Sequence, residues 1–167
     1  LTGAPGIGKT TVIKRLAEHL TVACGFYTEE IRQFGTRLGF RIVSLDGKHG
    51  LLAHMARAHG PRVGKFRVDV EQFESIALPA IEEKGEIVLV DEIGRMELYS
   101  EHFKLAVERL FEGVRSVIAT VQAASDSFVD RLKRRPDVDV YEVTRYNRFR
   151  LPEVILTRLG KPSPYQF

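Results

Sequence analysis

Apolar residues recur at helical spacing from Lys9 onward, at Val12, Ile13, Leu16, Ala17 and Leu20. That spacing predicts an amphipathic helix. Leu1 and Thr2 read as the tail of a buried strand, so residues 3–8 form a loop on which the helix begins. Between residues 25 and 54 the rhythm changes to a period of two. Residues 26–31 and 39–45 read as strands, and Asp46-Gly47 is a hairpin turn signal. The segment is expected to be an antiparallel ribbon inserted after the first helix. Residues 63–69 read as a further strand.

Phe73, Ile76, Ala77, Ala80 and Ile81 mark a second helical face, and Pro79 inside it is expected to kink or split the helix. Ile87-Val88-Leu89-Val90 is a continuous apolar run, as in a strand covered on both faces of a parallel sheet. Phe103, Ala106, Val107, Leu110 and Phe111 predict a third helix, and residues 117–119 another central strand. A short helix over 127–135, a strand over 138–143 and a last helix from Pro152 to Gly160 complete the series. Strands alternating with helices predict an α/β fold, a mainly parallel sheet flanked by helices, in a single domain over residues 1–167. The tail from Lys161 is expected to dock loosely.

Composition changes this picture little. The chain has 167 residues, 44% hydrophobic and 28% charged, as in ordinary globular domains. No apolar run is long enough to suggest a membrane span. One cysteine, Cys24, allows no internal disulfide and fits a reducing, cytoplasmic setting. The net charge of +3 is too mild to mark a nucleic-acid binder. One Asn, four Gln, one Cys and two Met make thermolabile types scarce. A thermophilic source and genome base composition both account for that. The chain opens without Met, two residues before the loop, and the upstream part of the first strand is expected to lie outside this sequence. His54 and His59 lack the spacing of a zinc pair, and no cysteine cluster supports one.

The loop carries the chemistry. Gly3, Ala4, Pro5, Gly6, Ile7, Gly8, Lys9 and Thr10 match G-x-x-x-x-G-K-[ST] in full. Glycines let successive backbone N–H groups point at a phosphate, and the following helix adds its positive dipole end. Lys9 reaches β- and γ-phosphates, and the Thr10 hydroxyl suits Mg²⁺. The apolar strand at 87–90 ends in two acids, Asp91 and Glu92. In P-loop enzymes an acid at this strand end holds the Mg²⁺ shell, a role for Asp91. The adjacent Glu92 is the candidate for activating water, since alternation aims it away from Asp91. A water-activating acid favours a hydrolase over a kinase.

Residues 2–11, 25–32, 90–97 and 141–152 together resemble the small nucleoside-triphosphatase family of thermophiles, called cancer-related nucleoside triphosphatase in animals. The resemblance covers nearly the whole chain, in the same order. It implies a P-loop NTPase domain with a catalytic glutamate and slow, broad hydrolysis of ATP, GTP, CTP and UTP to diphosphate and phosphate. Carried over residue by residue, it assigns residues 3–11, including Thr11, to phosphate binding and residues 91–96, including Gly94, to the surroundings of metal and water.

Weaker signals surround this set. Arg95 is a candidate for stabilising charge on the γ-phosphate, or a surface arginine paired with Glu92 or Glu97. Arg145, Asn147 and Arg148 follow the predicted strand at 138–143. They are candidates for base or phosphate contact, or for turn and cap chemistry. Glu29, Glu30 and Arg32 form either a lid or a polar strand face. Arg131, Lys133, Arg134 and Arg135 read as a solvated helix end in preference to a nucleic-acid contact. A nucleoside or nucleotide kinase, and a partner-activated nucleotide switch associated with nucleic acid, are the competing functions.

Overall fold

A computed structural model describes residues 1–161. The expected loose tail beyond Lys161 lies outside the described residues. Helix α1 (Lys9–His19) starts directly on the loop. Three strands follow, β1 (Ala23–Gln33), β2 (Thr36–Ser44) and β3 (His49–His54), which pair as an antiparallel meander. Then come β4 (Arg62–Val63), β5 (Phe66–Val68), α2 (Val70–Glu82), β6 (Ile87–Ile93), α3 (Glu101–Glu112), β7 (Ser116–Val121), α4 (Ser127–Lys133) and α5 (Leu151–Arg158). A 3-10 turn, Glu97–Tyr99, links β6 to α3.

The seven strands form one sheet in the order β4-β5-β3-β2-β1-β6-β7. Its β1-β6-β7 part is parallel, and the ribbon side is antiparallel. Strand β1 belongs to both halves, so the ribbon extends the core sheet directly. Leu1 continues the parallel part beyond β7, where its carbonyl accepts from the Val121 amide at 2.8 Å.

The apolar run of β6 is explained by alternation between two cores. Val88 and Val90 face a cluster with Phe26, Phe73 and Phe103, covered by α2, α3 and α4. Ile87 and Leu89 face the opposite cluster, with Val12, Ile13, Leu16 and Leu156 from α1 and α5. The three phenylalanine rings meet edge-on or tilted, with centroids 5.0–5.9 Å apart. Aromatic pairs prefer such geometries.

Three expectations need correction. Residues 63–69 are not one strand. Gly64, with φ +58°, turns the chain between β4 and β5, which pair as a small hairpin. Helix α2 is not split at Pro79, which is exposed in its last turns; only one amide donor is missing there, and the Glu83 amide still donates to the Pro79 carbonyl at 3.0 Å. Residues 138–143 are not a strand. The segment alongside them is Leu1–Thr2, which provides a single parallel bridge, Thr2 to Glu142.

Candidate active site

Gly3, Gly6 and Gly8 all have positive φ, and Gly8 is the N-cap of α1. The loop thus curls over the helix terminus without a side-chain cap, leaving its amides open to an anion. Lys9 is buried; its Nζ donates to the Gly3 carbonyl at 3.2 Å and lies 3.6 Å from Glu92 Oε2. Arg148 braces the loop from outside. Its Nη1 donates to the Ile7 carbonyl at 3.2 Å, and a Cβ added to Gly8 would meet its Cδ at 3.2 Å.

Asp91 is buried on β6 and has both oxygens engaged. Oδ2 accepts from the Thr10 hydroxyl at 2.7 Å and Oδ1 from the Thr120 hydroxyl at 2.6 Å. The Thr28 amide approaches Oδ2 at 3.4 Å. Glu92 turns the other way, towards Lys9. Burial pushes the Glu92 carboxyl above its ordinary range; the Lys9 ammonium pulls it back and Asp91 adds to the push. Thr10 and Asp91 give adjacent hard oxygen donors, which suit Mg²⁺. Among the described residues no cluster of three or more His, Cys, Asp or Glu could hold a metal alone. Phosphate oxygens and water would therefore have to complete the shell.

A cavity of about 970 Å³ opens over this constellation. Gly3, Pro5, Gly6, Gly8, Lys9, Thr10 and Thr11 line one side, Glu92, Gly94, Arg95 and Glu97 the floor, and Glu29, Glu30 and Arg37 of the ribbon the far wall. Ala4 and Ile7 belong to the loop but are not among the lining residues. Arg95 is exposed and makes no ion pair with Glu92 or Glu97. Glu29 and Glu30 are held by cations, Lys14 and Arg41 for the first, Arg32 and Arg37 for the second. Arg32 itself is outside the lining.

Arg145 and Asn147 also stand outside the lining. Arg145 lies over the Tyr146 ring at 4.9 Å. Asn147 spends its amide on its own turn, accepting from the Thr144 amide and donating to the Glu142 carbonyl, both at 2.8 Å. The basic cluster disperses into structural contacts: Arg131 with Glu108, Lys133 with the Gln122 carbonyl, Arg135 with Asp137. Two site neighbours had no independent signal in the sequence. Thr120 is one of many threonines, and Glu97 stood out only as a possible partner for Arg95. Glu97 is in fact buried, with its carboxyl pushed up to about 8 by desolvation first and then by the charges of Glu92 and Asp91.

A phosphate-cradling loop on a helix, a buried lysine and an acid pair at a neighbouring strand end define a P-loop nucleotide-binding protein. A family model described as NTPase matches residues 1–156. The nucleoside-triphosphatase THEP1 of Thermotoga petrophila is 46% identical over 159 residues, 93% of this chain and 89% of that one. The human cancer-related nucleoside-triphosphatase is 36% identical, over 93% of each chain. The crystal structure of THEP1 from the hyperthermophile Aquifex aeolicus superposes with a TM-score of 0.89 at 34% identity, covering 96% of this chain and 97% of that one. The chain belongs to this NTPase family.

Proposed function

We propose that this chain is a Mg²⁺-dependent nucleoside triphosphatase, acting as one domain on ATP, GTP, CTP and UTP with slow turnover. The observation that carries the reading is the double contact at the base of the cavity, with Asp91 buried beneath its lining. Lys9 meets Glu92 at 3.6 Å while Thr10 meets Asp91 at 2.7 Å. One pair suits a phosphate and its attacking water, the other a metal.

Lys9 and the loop amides of residues 3–11 bind the β- and γ-phosphates. Thr10 and Asp91 would hold Mg²⁺, which would neutralise charge on the phosphates. Glu92 accepts a proton from water as that water attacks the γ-phosphorus, and the bond to the β–γ bridging oxygen breaks. Arg95, a lining residue of the cavity, is the candidate for meeting charge on the γ-phosphate. Broad base specificity accords with the place of Asn147, a candidate for reading a base, which is tied to its own turn and stands outside the cavity lining. A cytoplasmic setting accords with a nucleoside triphosphate substrate; no helix among the described residues is long and apolar enough to cross a membrane.

The cavity extends beyond Glu92 to Phe40, Leu52 and Val63, which is room a kinase would need for an acceptor. Phosphate release from the four triphosphates, in wild type and Glu92→Gln, separates the readings. Release from all four, lost in Glu92→Gln while nucleotide binding persists, is expected. No release despite tight binding would favour the kinase, and full release by Glu92→Gln would remove Glu92 from its role.

A further inference from the structure

A second cavity, of about 580 Å³, adjoins the one over the phosphate loop. Arg95 and Val63 line both, so the two cavities meet at Arg95. Four cations converge on the second cavity from elements far apart in the chain. Arg62 comes from β4, Arg95 from the approach to the 3-10 turn, Lys104 from α3 and Arg131 from α4. Asp126 is the one acid of its lining among the described residues. Its Oδ1 accepts from the Phe128 and Val129 amides at 2.9 and 3.2 Å.

These cations are under-neutralised. Arg62 spends only its Nε, on the Gly64 carbonyl at 2.8 Å. Among the described residues neither Arg62 nor Arg95 makes an ion pair. Lys104 pairs with Glu101 at 2.6 Å and Arg131 with Glu108 at 3.2 Å, exposed acids outside the lining. Like charges gathered in one concavity repel one another and focus a positive field into it, and an anion relieves that repulsion. Guanidinium groups match phosphate oxygens two at a time. The ring of Tyr99 is half-exposed in the same lining, and its hydroxyl donates to the Arg62 carbonyl at 3.4 Å. That contact ties the 3-10 turn to β4 and sets an aromatic face beside the cations, a surface on which a base can stack.

We propose that this second cavity is a phosphate site separate from the loop. It takes a phosphate dianion on Arg62, Arg95 and Lys104, either free or as the terminal group of a nucleoside monophosphate stacked on Tyr99. Hydrolysis at the loop sets free an inorganic phosphate beside it, because Arg95 belongs to both cavities. That source rests on the triphosphatase reading; the site itself does not. A phosphate held there draws on the guanidinium that is the candidate for the γ-phosphate, so a filled second site slows turnover without displacing the nucleotide.

The test uses the full chain with its loop filled by Mg²⁺ and a triphosphate whose β–γ bridge is an imido group, so that added anions cannot enter there. Inorganic phosphate and AMP are titrated separately by calorimetry at constant ionic strength, up to about 20 mM. Phosphate is expected to bind wild type, about tenfold more weakly Arg62→Ala or Lys104→Ala, and about a hundredfold more weakly the double variant. AMP binding tighter than phosphate, with Tyr99→Ala removing that advantage, supports the site with a nucleotide as its ligand. Equal affinities, unmoved by Tyr99→Ala, support it with free phosphate. No binding of either, or binding unchanged in the double variant, overturns the proposal. Without added phosphate, the double variant is expected to release phosphate from MgATP within about twofold of wild type, which also shows that it folds. Added phosphate is expected to lower wild-type kcat with KM unchanged, and to leave the double variant unaffected. A rise in KM alone would put the phosphate in the loop, and loss of turnover in a folded double variant would put Arg62 and Lys104 in the active site; either overturns the proposal. Failure of the triphosphatase reading looks different: wild type releases no phosphate, and calorimetry still decides the site.

Discussion

Asp91 and Glu92 are neighbours in the chain but not in their surroundings. Asp91 has each oxygen met by a threonine hydroxyl, whereas Glu92 has a single cation at 3.6 Å and a cavity in front of it. A carboxylate fully supplied with donors is suited to hold a metal shell. One that is half-buried and lightly bonded is suited to take a proton. Glu97 goes further, which links the site to stability. Burial first, then the charges of Glu92 and Asp91, push its carboxyl from the ordinary 4.5 up to about 8 in the folded chain. Below about pH 4.5 both states are protonated and its contribution to stability is fully present. As pH rises towards 8 the unfolded chain ionises while the folded one does not, and that contribution is lost. Wild type should therefore lose stability relative to Glu97→Gln between about pH 5 and 8, by something on the order of a few kcal/mol. Denaturant titrations of both proteins across that range would show the divergence. Parallel pH curves would mean that Glu97 is ionised in the folded protein.

At the scale of elements, Pro79 shows how tertiary packing overrides a local rule. Helix α2 buries Phe73, Ala77, Ala80 and Ile81 along one face, and that face holds the helix through a residue that removes an amide donor. Pro79 is itself exposed. Pro79→Ala should restore the hydrogen bond without disturbing the core and stabilise the protein by about 1–3 kcal/mol. Thermal unfolding checks this, and an unchanged or lower Tm would mean that the proline ring or its fixed φ is an asset. Periodicity revealed the elements whose apolar faces are regular: α1, α3 and the doubly covered β6. It misread residues 63–69, because two residues suffice to reverse a strand when one is glycine. It misread 138–143, because an alternating pattern cannot reveal how much partner strand lies beside it. The loop and the acid pair were legible because each is contiguous in sequence. Thr120 and Glu97 were not, because their roles arise only when β7 and the 3-10 turn are brought to the end of β6.

The whole molecule is organised around that strand end. Asp91 receives Thr10 from α1, Thr120 from β7 and the approach of Thr28 from β1, so one carboxylate joins the helix layer, the parallel half of the sheet and the ribbon. A nucleotide bound on the loop would add contacts to all three at once. It would bind the folded chain and not the unfolded one, and linkage then sets the gain. At a hundred times Kd the folded state is favoured by about 2.7 kcal/mol, which for a chain of this size raises Tm by roughly 5–10 °C. MgADP should give this shift in wild type and in Glu92→Gln if, as proposed, Glu92 serves the water and not the diphosphate. Lys9→Ala should abolish the shift at the same concentration, and Asp91→Asn should make it insensitive to Mg²⁺. Differential scanning calorimetry with and without EDTA distinguishes these cases. A full shift in Lys9→Ala would move phosphate binding away from the loop, whereas loss of the shift in Glu92→Gln would make Glu92 part of the binding site and return water activation to an open position.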